Sequence, residues 1–139
     1  MVEIGNVFRG KRKDNGKWVV GFYTGPCGAK LINAHWISGI DDLFATPRLV
    51  DPSTIGECTR LKDKNGNWIF EGDILRMDSF SPPFCEVRFI EGAFCLVFPE
   101  PGPAWPVDIH YIHHAEKPSA TVVGNIHDNP DLLEEHKNA

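Results

Sequence analysis

The chain has 139 residues, enough for one domain or two small subdomains, and its 42 % hydrophobic content excludes global disorder. Eleven prolines and 13 glycines, set against two methionines, point to short elements joined by many turns. The formal charge of −5 is uneven: residues 1–30 carry Arg9, Lys11, Arg12, Lys13, Lys17 and Lys30 against Glu3 and Asp14, a balance of +4 that leaves −9 on the rest and works against general nucleic-acid binding.

Val7-Phe8-Arg9-Gly10 reads as a first strand, and Trp18–Thr24 as its partner across an Asn15-Gly16 turn. Ala29–Ile32 is expected to return after Gly25-Pro26, and residues 33–48, broken by Gly39 and Pro47, are expected to be irregular with one helical turn. Leu49-Val50 extends, Asp51–Thr54 turns, and Ile55–Leu61 extends again. Trp68–Phe70 and Asp73–Met77 are strands separated by a tight Glu71-Gly72 break. Glu86–Phe89 alternates polar and apolar residues, the pattern of a half-buried strand. Glu91-Gly92 turns it into Phe94–Phe98, with Phe94, Leu96 and Phe98 on one face. The stretch 99–106 holds four prolines, which remove ladder donors, so it reads as a stiff loop. Val107–Ile112 and Ala120–Ile126 are the last strands, and Asn129-Pro130 opens a short helix over Asp131–His136. The five closely spaced strands of the second half suit a small closed barrel, and the first half a meander.

Two hairpins echo each other. Lys13-Asp14-Asn15-Gly16-Lys17-Trp18 and Asp63-Lys64-Asn65-Gly66-Asn67-Trp68 share a charged lead-in, Asn-Gly, one polar residue and a tryptophan. Asn-Gly suits a type I′ turn, whose two central residues both need positive φ. Two copies are read as convergent turn chemistry rather than as a repeat array.

Four blocks carry a family likeness. They are Phe8–Arg12 with Asn15–Trp18; Val50-Asp51-Pro52-Ser53-Thr54-Ile55-Gly56; Leu61–Gly66 with Phe70-Glu71-Gly72-Asp73-Ile74; and Val123-Gly124-Asn125-Ile126 with Asn129–Leu133. In this order they resemble the YopX family of phage and prophage proteins. The resemblance implies a small all-β protein with an SH3-like barrel in the C-terminal half; together with the strand pattern this divides the chain into an N-terminal β-meander over residues 1–60 and a barrel with a short C-terminal helix over residues 61–139. It also implies a phage or prophage origin, and no enzyme activity or catalytic residue. Ser79–Pro83 and the proline-rich stretch 99–106 fall outside the matching blocks.

Several constellations invite chemistry. Asp108 and His110 would share a face on an extended strand, with His113 and His114 close by, so a metal-assisted hydrolase is one reading. His113 and His114 would then point to opposite faces, and the favoured reading has no metal site. The four cysteines lack a C-x-x-C pair and are expected to be free, mostly buried thiols, with Cys85 and Cys95 as near cross-strand neighbours. Gly72 is expected in an unusual φ, with Asp73 bonding nearby amides. Phe80, Phe84, Trp105 and Tyr111 come from segments that flank one region.

The chain therefore reads as a non-enzymatic module that self-associates as a homo-oligomer or binds a host or phage macromolecule, with no cofactor. Arg9, Lys11, Arg12, Lys13, Lys17 and Trp105 are the candidate binding residues, and nucleic-acid binding through the basic hairpin is the second reading. No apolar run approaches the roughly 20 residues of a membrane span. The N-terminus lacks the regions of a signal peptide, so the expected location is the host cytoplasm, away from the membrane.

Overall fold

The computed structural model describes residues 7–25, 34–40, 46–100, 102–113 and 120–134. The expected return at Ala29–Ile32 lies outside these. The fold is nearly all-β, built of antiparallel sheets, and the chain divides into two compact units, Met1–Cys58 and Thr59–Ala139.

In the first unit, β1 (Val7–Lys11) and β2 (Trp18–Thr24) form a hairpin with Lys11 opposite Trp18. β3 (Trp36–Gly39) adds beside β2, and β4 (Pro47–Leu49) beside β3. On the other side of β1, Phe8 and Arg9 pair with Glu57 and Gly56, where β5 (Gly56–Lys62) begins. Strands thus occupy a segment that reads as irregular, because both of its breakers suit their places. Gly39 lies opposite Gly21, and a Cβ on Gly21 would collide with the Ser38 carbonyl oxygen. Pro47 starts an edge strand, where no ladder donor is required. Arg12 and Val50 form a bridge, and Lys13 N donates to the Leu49 carbonyl at 2.9 Å, so the chain after β4 returns to the end of β1. Val7, Ile37 and Val50 are buried there, and a Cβ on Gly10 would stand 3.2 Å from both Ile37 Cδ1 and Val50 Cβ.

In the second unit, the rest of β5 runs beside β6 (Trp68–Phe70). A five-stranded sheet follows in the order β10-β9-β8-β7-β11, built from β7 (Asp73–Met77), β8 (Phe84–Ile90), β9 (Ala93–Val97), β10 (Val107–Asp108) and β11 (Ala120–Asn125). The sheet is not closed: β10 and β11 are its edges. Its core gathers Ile69, Leu75, Met77, Cys85, Val87, Leu96, Phe98, Ile109, Ile112 and Ala120. The strand expected over Val107–Ile112 stops at Asp108. There the Asp108 side chain accepts from His110 N at 2.8 Å, and a 3-10 turn over Ile109–His113 buries Ile109 and Ile112. The terminal helix α1 spans Asp131–Glu134; the later residues of the expected helix lie outside the described ones.

The turns redistribute positive φ. Gly16 and Gly66 have φ of 70° and 84°, whereas Asn15 and Asn65 are not among the positive-φ residues, so neither Asn-Gly turn is type I′. Their loops also differ in length: Arg12 N donates to Lys17 O in the first, and Asp63 N to Asn67 O in the second. The type I′ pattern belongs to Glu91-Gly92, with φ of 49° and 86° between the paired Ile90 and Ala93.

Candidate functional site

The family-like blocks resolve into backbone-holding contacts. Asp51 caps a 3-10 turn over Pro52–Thr54 by accepting from Ser53 N at 3.0 Å. Buried Thr54 donates its hydroxyl to Asp51 O and accepts from Lys11 N at 2.8 Å, which ties this turn to β1. Asp63 is buried; Oδ1 accepts from Asn65 N and Asn67 N, and Oδ2 from Val122 N. Burial pushes its pKa up, but the donors on Val122, Asn67 and Asn65 outweigh burial and hold the carboxyl below its usual range. Asp73 Oδ2 accepts from Phe70 N at 2.7 Å, across Gly72 with its φ of 91°. Gly124 is required because a Cβ would stand 2.5 Å from Asn129 Oδ1. Asn129 turns that oxygen back to Asn125 N rather than into its own helix, so its side chain joins the β11–α1 connection.

The candidate binding residues fall in both units. Arg9 and Lys11 lie on one face of β1, with the Arg9 guanidinium 4.8 Å and the Lys11 ammonium 5.5 Å from the Trp18 ring centroid. Arg12 grips Asp14 through two hydrogen bonds, at 2.9 and 2.6 Å, and this interaction lowers the Asp14 pKa. Lys13 and Lys17 are exposed. Trp105, in the second unit, is 71 % exposed. Of the other aromatics, Phe80 stacks on Phe98 and meets Tyr111 edge-on, and Phe84 lies under Arg76.

A groove of ≈390 Å³ in the first unit is lined by Lys13, Asp14, Trp36, Pro47, Arg48 and Leu49. Trp36 and Arg48 escape sequence reasoning because their strands were not legible. A second groove, ≈460 Å³ and within the second unit, runs along Glu86, Arg88, Phe98, Pro99, Glu100 and Leu133.

The chemical constellations do not assemble. Asp108 serves the backbone rather than converging with His110, and no group of three metal-binding side chains occurs among the described residues. Cys85 pairs with Leu75 and is buried, which pushes its thiol up to about 12. Cys95 pairs with Arg88 on the opposite face, so these two cysteines are not cross-strand neighbours. Cys58, Cys85 and Cys95 are free thiols.

These features define an all-β protein whose recurring residues shape turns. The family described as "YopX protein" matches residues 7–134, and the chain belongs to the YopX family. Among solved structures it is similar to the protein EF1440 from Enterococcus faecalis, with 25 % identity and a TM-score of 0.54, over 91 % of this chain and 96 % of that one. No curated protein matches the chain. No helix among the described residues is long and apolar enough to cross a membrane.

Proposed function

We propose that this YopX protein is a non-enzymatic binding or self-assembling module, a phage- or prophage-encoded accessory protein working in the host cytoplasm. One observation carries the reading: Asp51, Thr54, Asp63, Asp73 and Asn129 spend their side chains on the main chain, where a catalytic set would aim them at a shared space. The second unit reads as an open variant of an SH3-like barrel; the bonds from Val122 N to Asp63 and from Lys64 N to Ala120 O, which join the β5–β6 turn to β11, support this. Contact with a partner falls to exposed side chains such as Trp105, held on the proline-rich loop. Light scattering after gel filtration, with a tagged pull-down from induced cells, tests the proposal. A strict monomer that captures neither protein nor nucleic acid would refute it.

A second reading, nucleic-acid binding through the first unit, is favoured by Arg9 and Lys11 lying over the Trp18 ring. It predicts retardation of single strands at low salt that weakens as salt rises.

A further inference from the structure

We propose that the turn over residues 63–67 is a self-modifying site. The Asn65 side-chain amide is lost by attack of the Gly66 nitrogen, with water as the only other reactant, and the change loosens the hold of this turn on β11.

The step needs an asparagine followed by a residue whose nitrogen is open to approach. The Gly66 nitrogen gives up its proton and bonds to Cγ of Asn65. The bond from Cγ to Nδ2 breaks, and ammonia leaves. Water then opens the five-membered imide. Attack at Cγ restores the main chain with an aspartyl side chain at position 65. Attack at the main-chain carbonyl carbon gives an isoaspartyl linkage, in which the main chain runs through Cγ. One water is consumed and one ammonia is released, with no change of oxidation state. Glycine in the second place leaves the nitrogen uncovered where a Cβ would stand.

The same dipeptide occurs twice, and the structure separates the copies. Asn15, Gly16, Asn65 and Gly66 are all exposed. A Cβ on either glycine would meet no atom within 4 Å among the described residues, so packing holds neither loop at that point. The Asn15 side chain is anchored: its Oδ1 accepts from Lys17 N at 2.9 Å, and Gly16 N donates to Arg12 O at 2.9 Å. The Asn65 side chain makes no hydrogen bond among the described residues, and Gly66 N donates to Asp63 O at 3.1 Å. The main-chain N–H of Asn65 is fixed by Asp63 Oδ1 at 2.9 Å. At position 65, therefore, the main chain is held while the side chain is left to turn onto the next nitrogen. At position 15 the bond to Lys17 must be given up first.

Position 65 also lies between two donors to one oxygen. Asp63 Oδ1 accepts from Asn65 N and Asn67 N, while Oδ2 accepts from Val122 N on β11. An isoaspartyl linkage puts one more main-chain carbon between the two donors, which disturbs their shared reach to Oδ1. Either product adds a carboxylate beside buried Asp63, a like charge that raises the cost of keeping that group ionised. The turn thus ages in one direction, and its bond to β11 weakens with it.

The experiment keeps the purified whole chain in mildly alkaline buffer made with oxygen-18 water, folded or in concentrated urea. Peptides are mapped over time, with enzymatic isoaspartyl methylation as the second readout. In the folded protein, position 65 should convert roughly fivefold faster than position 15, the factor that one net hydrogen bond supplies. In urea the two rates should converge, since the dipeptide is the same. Equal rates in the folded protein, or earlier conversion at position 15, would overturn the proposal. So would an unconverted position 65 after a time in which the unfolded chain converts. Aged protein should melt below fresh protein, whereas Asn65→Gln, which removes no side-chain hydrogen bond among the described residues, should keep its Tm through the same incubation. Asn65→Asp supplies the charge without the inserted carbon and should melt between fresh and aged protein. An unchanged Tm after full conversion at position 65 would overturn the link to β11.

Discussion

The amide of Val122 donates to Asp63 Oδ2 at 2.9 Å across 59 residues of sequence, joining the turn between β5 and β6 to the edge strand β11. Beside it, Lys64 N donates to the Ala120 carbonyl at 3.0 Å. A single buried carboxylate thus shapes its own turn, through Asn65 N and Asn67 N, and holds a distant strand. A carboxylate suits this place because its two oxygens accept several donors at once, which an amide side chain cannot do.

Asp63→Asn is therefore expected to cost about 2 kcal/mol, the scale of hydrogen bonds to a charged group. The pH dependence has a defined sign. The folded pKa lies below the unfolded value of about 3.9, so this stabilisation is complete above that value and is lost as pH falls through the folded pKa. Urea denaturation at pH 7 and pH 3 measures both effects. The variant should lose less stability between the two pH values than the parent; equal losses would show that Asp63 does not contribute through its charge.

Gly72 and Gly124 are required for different reasons, and their variants should differ. At Gly72 the backbone itself is left-handed, with φ of 91°, so Gly72→Val is expected to cost at least about 2 kcal/mol and to abolish folding if the reserve is small. At Gly124 the obstacle is Asn129 Oδ1. Gly124→Ala should destabilise the protein, and adding Asn129→Ala should recover part of the loss. A double-mutant cycle by thermal melting reads this coupling, and strict additivity would refute the contact.

Much of the fold was legible because hairpins with alternating apolar residues and Gly-containing turns are local patterns. β1, β2, β6, β7, β8 and β9 all sit where periodicity puts them. β3 and β4 were not, because Gly39 answers a close approach by Gly21 and Pro47 answers an edge position, and both are facts about neighbours distant in sequence. The same limit hides the groove: Lys13 is visible in a basic cluster, but Trp36 and Arg48 reach it only through the β3–β4 register. The type I′ expectation failed for a related reason. A longer loop lets one glycine take the whole left-handed burden, and only the two-residue Glu91-Gly92 loop demands it of both residues.

Free thiols should react in an order set by burial. Cys85 is buried with its thiol raised to about 12 and Cys58 is buried, whereas Cys95 is half-buried. In a Cys27→Ser background, a thiol-reactive chromophore at pH 8 should label Cys95 first, and Cys58 and Cys85 only on unfolding. Peptide mapping after a short exposure checks the order. Early labelling of Cys85 would contradict its place in the core.

Glu91 offers a test in the stabilising direction. It occupies the first central position of a two-residue hairpin turn with φ of 49°, a conformation that costs an ordinary L-residue roughly 1–2 kcal/mol and that asparagine tolerates better. The side chain is exposed, so a replacement disturbs no packing. Glu91→Asn should therefore raise stability by up to about 1 kcal/mol, a shift of a few degrees in Tm for a domain of this size. Gly92→Ala, at φ of 86°, should move Tm down by a similar amount or more, although a Cβ there would meet no atom within 4 Å. Because space is open at Gly92, any loss must come from the backbone angle. Opposite shifts in the two variants would assign the effect to turn conformation, and a neutral Gly92→Ala would remove the type I′ turn from this hairpin.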